Sequence, residues 1–238
     1  MEFIGQTRIG YLYLPDGKII KFAVNGLSRS GLDYGDPYVD QYMFKQYEEV
    51  ESRIRYLKTK PGDIMLDVGA CIGTWSVHAA VYGAKVYAFE IGKPHIQTLM
   101  LNSRLNNVKN MILIHKIALR SNNDVELVYD GWMHVCRKSD ALDDGSLIQI
   151  KSIALDQWVK QYNLPHINYI KIDVEGMELN VLKGAINTLK EFKPKLIVEI
   201  HDETPDRRSG VENLLKDLGY NHEHIPGLND YFYPNSCP

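Results

Sequence analysis

Long hydrophobic runs are missing from this sequence of 238 residues. No uninterrupted apolar stretch reaches the ~18–20 residues that cross a bilayer. The opening MEFIGQTRIGYLYLPDGK contains no apolar core of signal-peptide length. Cysteine is scarce too: Cys71, Cys136 and Cys237 lie far apart and form no CxxC pair. That excludes a disulfide scaffold, argues against a zinc knuckle and suits a reducing compartment. Neither sign of charge is in surplus. Twenty-seven basic residues against 30 acidic ones leave a formal charge of −3, which does not fit a protein that coats DNA or RNA. The expectation is a soluble, cytoplasmic protein without nucleic-acid or membrane partners.

What is present is the composition of a folded domain, 45% hydrophobic, 24% charged and 10% aromatic. The length suits one large domain or a domain with an extension. Residues 1–25 alternate loosely around Pro15-Asp16-Gly17, the pattern of a β-hairpin. A stretch rich in Gly, Ser, Asp and Pro follows over 26–40 and reads as a loop. From Gln41 to Leu57 the apolar residues Met43, Phe44, Tyr47, Val50, Ile54 and Leu57 recur at helical steps, and Pro61-Gly62 ends that helix.

A βαβαβ rhythm begins there: strand Ile64–Val68, a glycine-bounded turn, a helix to about Tyr82, strand Lys85–Glu90, helix Pro94–Leu105 and strand Met111–Leu119. Short links between such elements predict a mostly parallel, doubly wound α/β sheet with right-handed crossovers. Val125–Tyr129 and Ile148–Ile153 read as an inserted or edge pair of strands around a polar loop at 131–147. Leu155–Tyr162 reads as a short helix. The rhythm then resumes with strand Asn168–Val174, helix Gly176–Lys190 (stripe Met177, Val181, Ala185, Leu189), strand Lys195–Ile200, helix Arg208–Leu218 and one or two closing strands from Tyr220.

The most informative stretch is Asp67-Val68-Gly69-Ala70-Cys71-Ile72-Gly73, followed about one βαβ unit later by Glu90. Glycines at a strand-to-helix turn bring backbone close to a ligand, and a carboxylate ending the second strand can accept both hydroxyls of a ribose. The spacing GxxxG is not the dinucleotide fingerprint GxGxxG, and no GxxxxGK[ST] phosphate loop occurs. Asp67 beside the glycines suits the cationic amine of a ligand such as S-adenosylmethionine better than a pyrophosphate. A second group closes a later strand: alternation places Lys171, Asp173 and Glu175 on one face near its end, just before a helix. A third, Glu199 and His201, closes the apolar strand Leu196-Ile197-Val198.

DVGACIG, VYAFE, the strand ending in IALRSN, IKIDVEGMELNVLKGA and KPKLIVEIH occur in the order seen in FkbM-type methyltransferases, and the chain resembles that family over roughly residues 47–220. The KIDVEGxExxVLKG block is its specific part. The resemblance implies a Rossmann-like class I methyltransferase fold with a final antiparallel strand, spanning residues 47–238 behind an N-terminal extension (1–46) made of hairpin, loop and the start of a helix. It implies S-adenosylmethionine as cofactor and O-methylation of a sugar or natural-product hydroxyl as activity. Asp67, Gly69, Ala70, Cys71 and Gly73 would then frame the methionine part, with Asp173 nearby; Glu90 would hold the ribose, and Ile91 and Ala118 would flank the adenine. The chain departs from the family at Cys71, where Asn or His is commoner, and at 91–94, which read IGKP instead of an EPxP-like run.

Methyl transfer to an aliphatic hydroxyl needs alignment and a place for the proton. Asp173 and His201 are the candidate bases, with Lys171 and Glu175 as their neighbours. Asp173, Glu199 and His201 also form a donor set that Mg2+ or another divalent ion could use. An N-methyltransferase acting on an amide or amine, and a nucleoside-binding module without catalysis, stand as alternatives. A homo-oligomer is compatible with the sequence. Trp75 either touches the ligand or packs in the core, His134 and Cys136 have the spacing of two metal ligands but read as loop, and Tyr34, Tyr38 and Tyr42 suit a lid.

Overall fold

The computed structural model describes residues 2–4, 7–23, 55–121, 127–129, 135–137, 148–201, 205–225 and 229–235. The loop over 26–40, most of the helix expected over Gln41–Leu57, the boundary between residues 46 and 47, His134 and the three lid tyrosines lie outside these residues. The chain divides into two compact units, Met1–His115 and Lys116–Pro238.

The first unit opens with an antiparallel sheet in the order β1 (Glu2–Ile4), β2 (Thr7–Tyr13), β3 (Ile19–Ala23). The expected hairpin is its β2–β3 part. The turn is closed by the Leu14 N–H on the Lys18 carbonyl (2.8 Å) and the Gly17 N–H on the Leu14 carbonyl (3.0 Å). Parallel strands follow: β4 (Ile64–Val68), β5 (Lys85–Phe89) and β6 (Ile112–His115), with Asp67 opposite Ala88 and Ala88 opposite Ile114. All five β4 residues are buried, as in a parallel strand covered on both faces. Helix α1 (Thr74–Val81) links β4 to β5, and Trp75 in it is buried, so it packs in the core. Helix α2 (Lys93–Leu105) links β5 to β6; Pro94 lies in its first turn, where its missing N–H is no loss, and the helix stops at Asn106-Asn107 as expected.

The second unit contains β7 (Ala118–Arg120), β8 (Leu127–Tyr129), β9 (Val135–Arg137), β10 (Ile148–Ile150), β11 (Ser152–Ala154), α3 (Leu155–Tyr162), β12 (Tyr169–Ile172), α4 (Glu178–Lys183), α5 (Ile186–Phe192), β13 (Lys195–Val198), α6 (Pro205–Asp217), β14 (Tyr220–Ile225) and β15 (Asn229–Pro234). β12 and β13 are parallel; β15 runs antiparallel to β13 and pairs with β14, which gives both closing strands.

Four expectations need correction. The run Ile148–Ile153 is two strands, because β10 pairs with β8 and β11 with β7. The run Met111–Leu119 is two strands, because β7 takes its backbone partners from β11, with Ala118 opposite Ser152. The polar loop at 131–147 contains β9, which completes a small antiparallel sheet in the order β10-β8-β9. The helix Gly176–Lys190 is broken at Gly184-Ala185 into α4 and α5. A Cβ on Gly184 would stand 2.0 Å from the Arg120 carbonyl oxygen, so β7 passes against bare backbone there. Asp156 then caps α5 from α3: its carboxylate accepts the Thr188 N–H (2.7 Å) and the Asn187 N–H (3.0 Å). Among the described residues no helix is long and apolar enough to cross a membrane.

Candidate functional site

In the first unit, β4 delivers Asp67 and then a loop, Gly69–Gly73, ahead of α1. Asp67 is fully buried, and its Oδ2 accepts the Ser76 hydroxyl of α1 (2.5 Å). The loop is drawn onto the end of β5. The Gly69 and Ala70 N–H groups both donate to the Phe89 carbonyl (3.0 Å each). Glu90 supplies the other tie: its Oε2 accepts the Cys71 N–H (2.7 Å), and its Oε1 accepts the N–H groups of Ile91 and Gly92 (2.7 Å each). His95 Nδ1 lies 3.7 Å from the same Oε1. Burial pushes the Glu90 carboxyl up, but His95 and the backbone N–H groups outweigh it and hold the pKa below its ordinary value. Glu90 therefore stays an anion whose charge organises the loop.

The loop backbone has special geometry. Gly69 (φ 79°), Cys71 (φ 50°) and Gly73 (φ 85°) are left-handed. At Gly73 the demand is double, since a Cβ there would also meet Leu99 Cδ1 of α2 at 2.0 Å. Cys71 is half-buried and Ile91 likewise.

In the second unit, the buried strand β12 leads into a turn at 173–177, where Glu175 (φ 51°) and Gly176 (φ 92°) are left-handed. Lys171, only 3% exposed, pairs with Asp173 Oδ2 at 3.0 Å. Glu178, the first residue of α4, is buried; its Oε1 accepts the Gly176 N–H (2.8 Å) and faces His201 Nδ1 (3.1 Å). His201 Nε2 lies 3.3 Å from Glu175 Oε2 and 3.9 Å from Glu199 Oε1. The Glu178 hydrogen bond raises the His201 pKa to about 9; burial opposes this, and the charges of Glu175, Asp173 and Glu178 reinforce it. The imidazole is thus positive at neutral pH. Ala118 is half-buried at the start of β7.

The sequence-predicted residues fall into these two groups: Asp67, Gly69, Ala70, Cys71, Gly73, Glu90 and Ile91 in the first unit, and Lys171, Asp173, Glu175, Glu199 and His201 in the second. Ligand atoms of Asp173, Glu199 and His201 lie within 4.8 Å of one another, the spacing of an ion site. The carboxylates are neutralised from within, however, by Lys171 and the protonated His201, and an ion would have to expel that proton to use the imidazole. Ser76, His95, Asn102 and Glu178 were not singled out by sequence. Only Glu178 carried a signal, as the third acid of the IKIDVEGMELN block.

Residues 67–222 match the Methyltransferase FkbM domain. The chain belongs to the FkbM methyltransferase family. Among curated proteins it is 30% identical over 151 residues to the hexuronic acid methyltransferase AglP of Haloferax volcanii, covering 63% of this chain and 60% of AglP. It is 26% identical over 118 residues to the ribosomal protein L11 methyltransferase of Oceanobacillus iheyensis, covering 43% of this chain and 38% of that protein. The chain thus spans less than two thirds of either relative. The crystal structure of the methyltransferase FkbM from Methylobacillus flagellatus KT is similar in fold, with a TM-score of 0.53 and 19% identity over 84% of this chain and 55% of that one. The fold is the Rossmann-like class I methyltransferase fold that the resemblance implied.

Proposed function

We propose that this FkbM-family chain is an S-adenosylmethionine-dependent methyltransferase that methylates a hydroxyl of a small, sugar-like acceptor. The observation that carries the cofactor reading is the Gly69–Gly73 loop tied to the Glu90 carboxylate. Each carboxylate oxygen has two lone pairs, and Oε2 takes one N–H from the loop, which leaves acceptor capacity for a ribose hydroxyl. Asp67, Gly69, Ala70, Cys71 and Gly73 frame the methionine part in this reading, and Ile91 and Ala118 flank the base. When bound, the cofactor supplies a methyl already activated on a sulfonium.

The chain's own task is to orient the acceptor oxygen and take its proton. Asp173 fills that role at neutral pH, because His201 already holds a proton there. Lys171 holds Asp173 in place, and Glu175, Glu178 and Glu199 hold His201. No step is assigned to a divalent ion. The sugar-like acceptor is supported by the match to a hexuronic acid methyltransferase. The weaker match to a ribosomal protein methyltransferase favours a second reading, methyl transfer to a protein or peptide amine.

Calorimetric titration with S-adenosylhomocysteine, beside NAD and a Glu90→Ala variant, tests the cofactor reading. Micromolar binding to the wild type, weakened by the substitution and absent for NAD, is expected. A folded, cofactor-free sample that gives no heat would sink it. Labelled methyl incorporated into uronic acids but not into protein separates the two acceptor readings.

A further inference from the structure

Buried Asn102 in helix α2 and half-buried Asn106, which caps its C-terminus one turn on, each meet the backbone of β3. The Ala23 N–H donates to Asn102 Oδ1 (2.6 Å), and Asn102 Nδ2 donates to the Ala23 carbonyl (3.2 Å). One turn on, the Lys21 N–H donates to Asn106 Oδ1 (2.8 Å), and Asn106 Nδ2 donates to the Lys21 carbonyl (2.7 Å). The geometry matches by simple arithmetic. Four helix residues rise about 6 Å and two strand residues about 6.6 Å. A primary amide offers both a donor and an acceptor, as a peptide group does. The helix thus acts as the missing neighbour of an edge strand and covers its open backbone groups.

Asn102 does one thing more. Its Nδ2 also donates to the Ile72 carbonyl (2.8 Å), inside the Gly69–Gly73 loop. The next loop residue, Gly73, packs against Leu99 on the same face of α2. Asn106 touches no loop residue in its hydrogen bonds; its Nδ2 instead returns to the Asn102 carbonyl (2.8 Å). One side chain therefore joins the N-terminal sheet to the loop, and its helical neighbour joins only the sheet.

We propose that Asn102 is a positioning residue for the cofactor loop, and that through it β3 and the loop open and close as one unit. This rests on the cofactor reading above. The N-terminal sheet then contributes to cofactor affinity through Asn102. By linkage, a ligand that holds the loop must also hold the strand.

The test is amide hydrogen exchange by NMR on the full chain, with and without S-adenosylhomocysteine. Bound ligand should slow the Ala23 amide together with the loop amides, by about tenfold or more, and the Lys21 amide less. Loop amides that slow while Ala23 does not would overturn the proposal. Asn102→Ala should weaken ligand binding by about five- to tenfold, and Asn106→Ala, which loosens the same strand without touching the loop, should leave it within about twofold. Equal effects of the two variants would also overturn it. If Asn102→Ala does not fold, the wild-type exchange measurement decides. If the wild-type loop amides do not respond to the ligand, the cofactor reading fails by itself. The clamp then stands or falls on whether Asn102→Ala, and not Asn106→Ala, speeds exchange at Gly73.

Discussion

Glu90 gathers three backbone N–H groups on a buried carboxylate, and hydrogen bonds to a charged group are stronger than neutral ones. Glu90→Gln should therefore cost about 1.5–3 kcal/mol of stability at neutral pH. The pH dependence has a definite sign. The folded carboxyl titrates below the ordinary value of 4.5, so its contribution is present above that value and is lost as pH falls through the lower folded pKa. Urea unfolding of wild type and variant should converge at acid pH. His201 behaves in the opposite sense. Its pKa is raised from 6.5 to about 9, so its contribution is complete below 6.5 and disappears as pH rises through about 9. His201→Gln should lose more stability at pH 6 than at about pH 10, read by the same unfolding curves. A direct NMR titration of His201 with a midpoint near 6.5 would contradict this. Asp67, Glu90, Asp173 and His201 were legible in the sequence because each ends an apolar strand beside glycines or acids. Ser76 and Asn102 were not, because what distinguishes them is a partner across space: Asp67 and Ile72 respectively.

At the level of elements, the break between α4 and α5 is the clearest case of structure overriding pattern. Met177, Val181, Ala185 and Leu189 keep helical spacing across it, so periodicity alone reads one helix. The break is imposed from outside, by the Arg120 carbonyl lying where a side chain on Gly184 would be, and Asp156 satisfies the N–H groups that it exposes. Gly184→Ala should cost about 1–3 kcal/mol through overpacking, and Asp156→Ala about 0.5–2 kcal/mol through loss of the cap. Thermal unfolding checks both, and a wild-type midpoint in either variant would show the contact to be idle. The helix over Leu155–Tyr162, which ends at a left-handed Asn163, and the strand Ile64–Val68, which lies between Gly62 and Gly69, were readable to the residue. The division of Met111–Leu119 was not, because an apolar run does not say which neighbour its backbone will choose.

For the molecule as a whole, the run of short links between strands and helices made the parallel α/β class legible, and the strands at Leu127–Tyr129 and Ile148–Ile150 were read as an inserted pair, while Val135–Arg137 between them carried too few residues to announce a third strand. A ligand that binds only the folded chain stabilises it by mass action. S-adenosylhomocysteine at about 100 times its dissociation constant should add about 2.7 kcal/mol, which for a chain of this size is a rise in Tm of about 5–10 °C. Scanning calorimetry measures it, and an unchanged Tm at saturation would count against the cofactor reading.

The β7–β11 pair sets a different kind of latitude. Ala118 and Ser152 face each other across a parallel ladder, so the chain that leaves after Arg120 returns one strand spacing across, ~4.8 Å, and two residues, ~6.6 Å, back along the ladder. Its ends are fixed whatever its content. Closure entropy grows only logarithmically, about 0.6 kcal/mol for each doubling of length. Between Ser121, which bonds Asn180, and Lys151, whose carbonyl accepts the Ala118 N–H, the connection can thus be lengthened or shortened at small entropic cost while the two anchoring strands stay in register. A lineage keeping this pair could revise that segment freely, and an engineer could graft there first.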